Sequence, residues 1–420
     1  MKPLRPSTPF FNAWRTPLTN RARTVIDTAV SRALAHEDTE CLRGRRRGAA
    51  EQEAFKAAAT ALLADATYRY LQGTLYYQIS RSHRVLDKES RYRSNLSGRQ
   101  IITALDLLSD PRVALLQHRP ADRFRFGGPA SRTAAGPALI QLVGHLSLFD
   151  FGTRLGEEVI VSRGEKRGTL PSEFVEYTDT ALTHSLRDQV RRINSSLASL
   201  TLGLPPAGAF IVPHKVDPRD ILVKRYFTRK SFESGGRIFD SWFMSSPKAF
   251  KLRCTINGES VVSLDYDTCL VRLAYAAAGA TLPTGDGYAI EGLPRPVAKR
   301  LFAACLFVSK DGRPLTRWPE GMQVMAKGIS FTAALHALQE KHPALIPIQF
   351  KGVGHSLQFT ESNILVDVLL QLIDKGIPAM PVHDCVIVPR SHLSATKVVM
   401  QEAFTRHTGL PSSVTEEFSE

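Results

Sequence analysis

Two aspartates in this 420-residue chain stand where carboxylates are costly. Asp265 follows the apolar run Val261-Val262-Ser263-Leu264, and Asp384 lies inside Pro381-Val382-His383-Asp384-Cys385-Val386-Ile387-Val388. Both runs are rich in β-branched residues and read as buried strands that carry their aspartate. An unpaired charge buried in this way costs several kcal/mol, so a cationic partner is expected beside each. Two such strands adjacent in a sheet would gather the carboxylates around two divalent cations roughly 3.5–4 Å apart, the arrangement used for phosphoryl and nucleotidyl transfer. Asp265 and Asp384 are therefore the expected metal ligands, and the expected chemistry is on phosphates.

A cationic helix lies between them in sequence. Arg295, Lys299, Ala303 and Phe307 recur every four residues and share one helical face. Such a face can hold a triphosphate with its cations while the ring supports a base. Taken alone, Arg and Lys at that spacing also fit an ordinary solvated surface. Upstream, Gly235-Gly236-Arg237 precedes a strand, and Ile256-Asn257-Gly258-Glu259 carries the Asn-Gly signal of a tight hairpin just ahead of Asp265.

Composition narrows the partner. Lys and Arg number 54 against 40 Asp and Glu, a net charge of +14. That favours a polyanion, nucleic acid more than membrane, although a soluble protein can be basic without such a partner. No stretch reaches the roughly 20 apolar residues of a membrane span. The opening Met1-Lys2-Pro3-Leu4-Arg5-Pro6 has no apolar core, so a cytoplasmic location is expected. The five cysteines show no Cys-x-x-Cys spacing, which argues against a zinc site or a disulfide framework. Cys269, Cys305 and Cys385, among apolar neighbours, read as small core residues.

In chain order, residues 1–60 read as a basic arm, ending in Arg43-Gly44-Arg45-Arg46-Arg47, and an Ala-rich helix from Glu51 to about Tyr70. Residues 61–150 read as a winged-helix module, with an ordinary small α+β module as the alternative. Ser97 would cap a helix whose exposed first turn presents Arg99 and Gln100 to DNA. A strand Val113-Ala114-Leu115-Leu116 then leads to a basic wing with Arg123, Phe124, Arg125, Phe126, Gly127-Gly128 and Arg132. Asp150-Phe151-Gly152 matches a kinase tripeptide, but the other kinase motifs are missing in the required order. Residues 151–205 read as a connecting or thumb-like helical region, with one helix over 172–200 carrying Arg187, Arg191 and Arg192, closed by Leu204-Pro205-Pro206-Ala207-Gly208.

These motifs, in this order, resemble those of the family A DNA polymerases and the related single-subunit phage RNA polymerases. Asp265-Tyr266 with Arg272 looks like the family's first catalytic motif. The Arg295, Lys299, Ala303, Phe307 helix is similar to the fingers helix, His383-Asp384 to the last motif, Gln358 ahead of a 361–373 helix to the glutamine near the primer terminus, and Arg237 to the family's Gly-Arg motif. The resemblance is closest to phage and mobile-element proteins that place a winged helix before a compact palm. It implies an α+β chain: an N-terminal helical and winged-helix region, then an antiparallel palm over 206–420 with short helical fingers inserted at about 276–345.

The resemblance further implies a template-directed nucleotidyltransferase that extends a primer 3′-hydroxyl in the replication of a phage, plasmid or mobile element. Asp265 and Asp384 would bind two Mg²⁺ ions, with Mn²⁺ as a substitute, and Lys299 would protonate the pyrophosphate. Arg295, Lys299, Ala303, Phe307, Leu270 and Tyr266 would contact the nucleoside triphosphate. Arg237, Gln358, His383 and Arg272 would line the primer-template. Duplex DNA and other replication proteins are the remaining expected partners, with no membrane. Leu270 stands where the family has a sugar-gating Glu, Phe307 where it has a Tyr, and Cys385 where the DNA enzymes have a Glu. Sugar choice is therefore open, no proofreading motif is seen, and two alternatives stand: an RNA polymerase or primase of the same fold, and a non-catalytic winged-helix initiator with a degenerate palm. A metal phosphohydrolase of the His-Asp type needs that dipeptide on a helix, which its Val and Ile neighbours oppose.

Overall fold

The computed structural model describes residues 9–87, 89–121, 131–152, 156–165, 172–206, 216–309 and 312–419. The chain is α+β and divides into two compact units, Met1–Glu158 with Gly208–Asp220, and Val159–Ala207 with Ile221–Glu420. Residues 159–207 belong to the second unit.

In the first unit the helices Asn20–Thr39, Ala49–Leu71, Gly98–Leu108 and Pro137–Val143 bury Ile26, Phe55, Leu62, Leu105 and Leu139 in a common core. The alanines of Ala49–Leu71 let neighbouring helices approach closely, and Ala58, Ala59 and Ala64 are fully buried. A β-hairpin follows, with Leu116–Arg119 antiparallel to Arg132–Ala135. Its first strand starts at Leu116 and not at Val113, because Ala114 takes a positive φ of 50° and turns the chain. Ser97 holds the N-cap position of Gly98–Leu108, but its hydroxyl does not cap; Asp87 Oδ1 accepts the Gly98 N–H at 2.7 Å instead. Arg99 is exposed, whereas Gln100 is buried and turned from solvent. The expected wing residues Arg123 and Arg125, with Gly127-Gly128, lie outside the described residues; Arg132 is exposed, 5.8 Å above the Tyr76 ring.

Part of the basic arm is structural. Arg47 is buried, pairs with Glu37 at 2.7 Å and lies 3.8 Å over the Phe55 ring, while Arg43 pairs with Glu51. Asp150 of the kinase-like tripeptide is a fastening as well. It accepts from Thr19 and Arg21, which with Ser147 hold its carboxyl below the usual range despite burial.

The second unit is built on a sheet ordered Leu202–Gly203, Thr255–Ile256, Glu259–Tyr266, Cys385–Pro389, Met380–Val382, with Val414–Phe418 also paired to Glu259–Tyr266. All these pairings are antiparallel. The Asn257-Gly258 turn forms as its dipeptide demands, with φ of 52° and 84° at its two residues. A smaller sheet joins Ile160–Ser162, Lys224–Phe227 and Gly235–Phe239. Gly235 and Gly236 both take φ of 75°, and a Cβ on Gly236 would stand 3.1 Å from the Phe227 ring. The long helix runs only over Ala181–Ala198; Thr180 caps it, and residues 172–179 are not helical. Helices Arg295–Phe307 and Phe331–Lys341 occupy the stretch between the two aspartates.

Candidate active site

Alternation along Glu259–Tyr266 separates core from cleft. Val262, Leu264 and Tyr266 are buried in the hydrophobic core, with the Tyr266 ring 5.2 Å from Phe404 and its hydroxyl donating to the Met400 carbonyl at 2.7 Å. Ser263 and Asp265 point the other way, into a cavity of about 180 Å³ shared with Lys248, Lys251, His383, Asp384 and Glu417. Tyr266, assigned to the nucleotide by motif, is thus a core residue in this structure, for the reason that makes its neighbour Asp265 a cleft residue.

Cys385 pairs directly with Asp265 across the sheet, which brings Asp384, one residue earlier, beside it. Asp384 is not on a strand. Val382 pairs with Cys385, so His383 and Asp384 form the two-residue turn of a hairpin, with His383 at φ 59°. The apolar run that looked like one strand is two, folded back at the His-Asp step.

Burial and the Asp384 charge push the Asp265 carboxyl up to about 7, against the opposing pull of Lys248 and Lys299. Asp265 Oδ1 is buried and has no hydrogen-bond partner among the described residues. No group of three or more His, Cys, Asp or Glu placed to hold a metal is found among the described residues. Two converging carboxylates, one with an orphaned buried oxygen, still fit Mg²⁺, which is commonly held by one or two carboxylates with waters and substrate phosphates filling the remaining positions. Cys385 does not join them. Its buried thiol is pushed up to about 12 and lies 2.9 Å from Ser263 Oγ, so it stays neutral.

Arg237 approaches the same hairpin, whose turn carries His383. Arg237 makes a bidentate pair with Glu361, both contacts at 2.8 Å, and feels the Asp384 charge. Burial raises the Glu361 carboxyl while Arg237 opposes the rise. The His383 ring packs edge-on to Phe239 at 5.8 Å, its Nδ1 is buried without a hydrogen-bond partner among the described residues, and burial and Arg237 lower its pKa. Gln358 does not precede a helix but lies inside Gly354–Asp374, one turn before Glu361 and on its side.

The cationic helix forms with the expected bounds, Arg295–Phe307. Arg295 and Lys299 are exposed and lie 5.3 Å and 5.9 Å from the Tyr288 ring centroid. Arg295 also pairs with Asp286 at 2.7 Å. Ala303 is half-buried. Phe307 packs against His355, centroids 5.2 Å apart, and its ring lies where a Cβ on Gly354 would approach to 2.6 Å, so only glycine allows that packing. In this arrangement its ring packs against Gly354–Asp374 rather than standing free. Leu270 is half-buried against the core.

Arg272 is a fastening. Its Nε, Nη1 and Nη2 are given to the Asp267 carbonyl, the Pro411 carbonyl and Ser413 Oγ at 2.9, 2.8 and 3.0 Å. Arg272→Ala is expected to cost about 1.5–3 kcal/mol by stranding these acceptors. A denaturant titration reads this; an unchanged midpoint would contradict it.

Sequence reasoning missed Lys248, Lys251 and Glu417. Lys248 and Lys251, three apart on the short helix Lys248–Leu252, face the cavity. Lys248 pairs with Glu417, while Lys251 is buried, has its pKa lowered by burial, and pairs with no carboxylate among the described residues. Glu417 stands opposite Ser263 and Thr415 opposite Asp265, so strand alternation aims Glu417 into the same cavity. The Lys-x-x-Lys spacing was the available signal; Glu417 had none until Val414–Phe418 was paired.

No protein-family model matches the chain, and no curated protein matches it. Among solved structures it aligns with the POL domain of Pol1 from M. smegmatis in complex with DNA primer-template and dNTP, at 11% identity and a TM-score of 0.31, over 94% of this chain and 68% of that one. A TM-score of that size does not establish a shared fold. No helix among the described residues is long and apolar enough to cross a membrane.

Proposed function

We propose that the chain is a template-directed nucleotidyltransferase, acting as a DNA polymerase on a primer 3′-hydroxyl. The observation that carries this reading is the convergence of Asp265 and Asp384 at a hairpin, with Asp265 Oδ1 buried and unpartnered. Divalent cations held by the two carboxylates would supply activation of the hydroxyl and neutralisation of the phosphorane and leaving pyrophosphate. Every other part is supplied by the chain's own side chains. Lys299, exposed and close enough to lower the Asp265 pKa, neutralises the triphosphate and donates a proton to pyrophosphate. Arg295 shares the triphosphate once released from Asp286. Arg237, oriented by Glu361, and His383 hold the primer end beside Asp384, with Gln358 one turn away. Lys251 offers a further unpaired cation for a phosphodiester in the cavity.

In the first unit, helix Gly98–Leu108 followed by a hairpin supports a winged-helix role on duplex DNA. Arg119 stands directly opposite Arg132 in that hairpin, a juxtaposition of like charges that an anion would relieve.

Primer extension tests the reading, on primed and unprimed DNA with each nucleotide set and Mg²⁺ or Mn²⁺. Extension on primed template with deoxynucleotides is expected; tight duplex binding with no incorporation under any condition would favour the non-catalytic initiator. Lys299→Ala should raise the KM for triphosphate about 10–100-fold with primer affinity unchanged, as expected for loss of one charge-assisted contact. Equal KM values would remove Lys299 from the triphosphate site.

A further inference from the structure

The first unit contains a cavity of about 520 Å³ that the nucleotidyl-transfer reading does not use. Its volume is in the range of small-molecule sites. Its walls combine two kinds of group. Phe11, Trp14 and Tyr92 offer rings, and Arg15, Arg69 and Arg93 offer guanidinium groups.

Each arginine carries a buried nitrogen with no hydrogen-bond partner among the described residues: Nε of Arg15, Nε of Arg69 and Nη1 of Arg93. Arg15 is only 2% exposed and rests 3.5 Å over the Tyr68 ring. Asp65 is the carboxylate nearest the first two, yet its Oδ1 stays 3.6 Å from Arg15 Nε and 3.5 Å from Arg69 Nε, beyond good hydrogen-bond length. One aspartate thus carries two long ion pairs, to a buried Arg15 and a half-buried Arg69. Glu157 and Asp220 also line the cavity and are already engaged. Guanidinium donors without a hydrogen bond are costly when dry; the Nε atoms of Arg15 and Arg69 are offset only by their long ion pairs to Asp65, and Arg93 Nη1 by none among the described residues, so a ligand rich in acceptors is favoured in this cavity.

We infer that this cavity binds a nucleotide, with a planar base against the Trp14 and Phe11 rings and a phosphate beside the Arg15, Arg69 and Arg93 guanidinium groups, taking Arg93 Nη1 first. Arg suits phosphate because its planar fork presents parallel N–H groups, and aromatic faces accept any base. Inorganic phosphate would leave the rings unused, and a nucleoside would leave the guanidinium donors unfilled. The phosphate can belong to a free mononucleotide or to the 5′-phosphorylated end of a strand, since both present the same group.

The test is calorimetric titration of the full chain in EDTA, on an Asp265→Asn background that removes metal-dependent binding at the aspartate pair. The probes are AMP, adenosine, inorganic phosphate, and tetranucleotides with a 5′-phosphate or a 5′-hydroxyl. AMP is expected to bind one-to-one, and adenosine and phosphate each about tenfold or more weaker. Arg93→Gln, chosen because Arg93 is only partly buried and so expendable to folding, should weaken AMP about tenfold with an unchanged circular-dichroism spectrum. A 5′-phosphorylated tetranucleotide that binds more tightly than AMP assigns the site to a strand end; equal or weaker binding assigns it to the free nucleotide. No heat with any probe, or AMP binding that is the same in Arg93→Gln, would overturn the inference while leaving primer extension unaffected as a separate result.

Discussion

Asp265→Asn is expected to abolish Mg²⁺-dependent incorporation, by about 10³-fold or more, and at the same time to stabilise the metal-free protein. The two effects come from one cause. In the folded chain the Asp265 carboxyl is pushed up to about 7 from an ordinary value of 3.8, first by burial and next by Asp384. At neutral pH without metal, the fold therefore carries a carboxylate that it holds poorly. Asparagine keeps the shape, removes the charge and lifts the repulsion from Asp384. Each pKa unit corresponds to about 1.4 kcal/mol, and after allowance for the solvent exposure of the site a gain of about 1–3 kcal/mol follows. On the proposed function, the loss of incorporation would follow from the removal of an anionic oxygen where bound cations would supply several kcal/mol of transition-state charge stabilisation.

The sign with pH is fixed by the same shift. Because the folded pKa is raised, the folded state binds more protons than the unfolded state between about pH 4 and 7. The Asp265 contribution to stability is therefore greatest at low pH and declines as pH rises through that window. Denaturant titrations in EDTA at pH 5 and pH 8 should show the variant gaining relative to wild type mainly at pH 8. On the proposed function, Mg²⁺ would have to displace a proton from Asp265 below about pH 7, so its apparent affinity should climb with pH and flatten above that value. A variant that is less stable than wild type at pH 8, or that still extends primers, would reject the assignment of Asp265.

What the sequence revealed was what local physics decides. The β-branched run Val261-Val262-Ser263-Leu264 marked a buried strand carrying Asp265, Asn257-Gly258 marked a hairpin, and the four-residue spacing from Arg295 to Phe307 marked a helix. What it concealed depends on pairing over long separations. His383-Asp384 looked like strand because both flanks are apolar, and only the pairing of Val382 with Cys385 makes it a turn. Glu417 enters the cavity only because Val414–Phe418 pairs with the strand of Asp265. Tyr266 and Arg272 were carried along by motif adjacency, although strand alternation already set Tyr266 on the face opposite Asp265. Glu361 was invisible for another reason: a Glu on a helix is ordinarily a surface residue, and its burial beside Arg237 comes from the packing of Gly354–Asp374 on Gly235–Phe239.

That pair yields the second large effect. Glu361→Leu is expected to destabilise the protein by about 2–4 kcal/mol, because it leaves the Arg237 guanidinium, half-buried and held by two contacts of 2.8 Å, without its carboxylate. The estimate sits at the lower part of the range for broken buried pairs because Arg237 retains some solvent contact. Arg237→Leu with Glu361→Leu removes both charges and should recover most of that loss, since the pair stabilises less than its Coulomb attraction suggests once desolvation is counted. Activity should not recover with stability. Arg237 bears on Asp384 and His383, so the double variant should remain impaired in the use of primer ends, with a raised KM for primer-template and a near-normal KM for triphosphate. Denaturant midpoints and the two KM values, measured across the single and double variants, separate the outcomes. Recovery of primer use together with stability would make Arg237 a structural residue only, and would leave His383 and Gln358 as the contacts at the primer end.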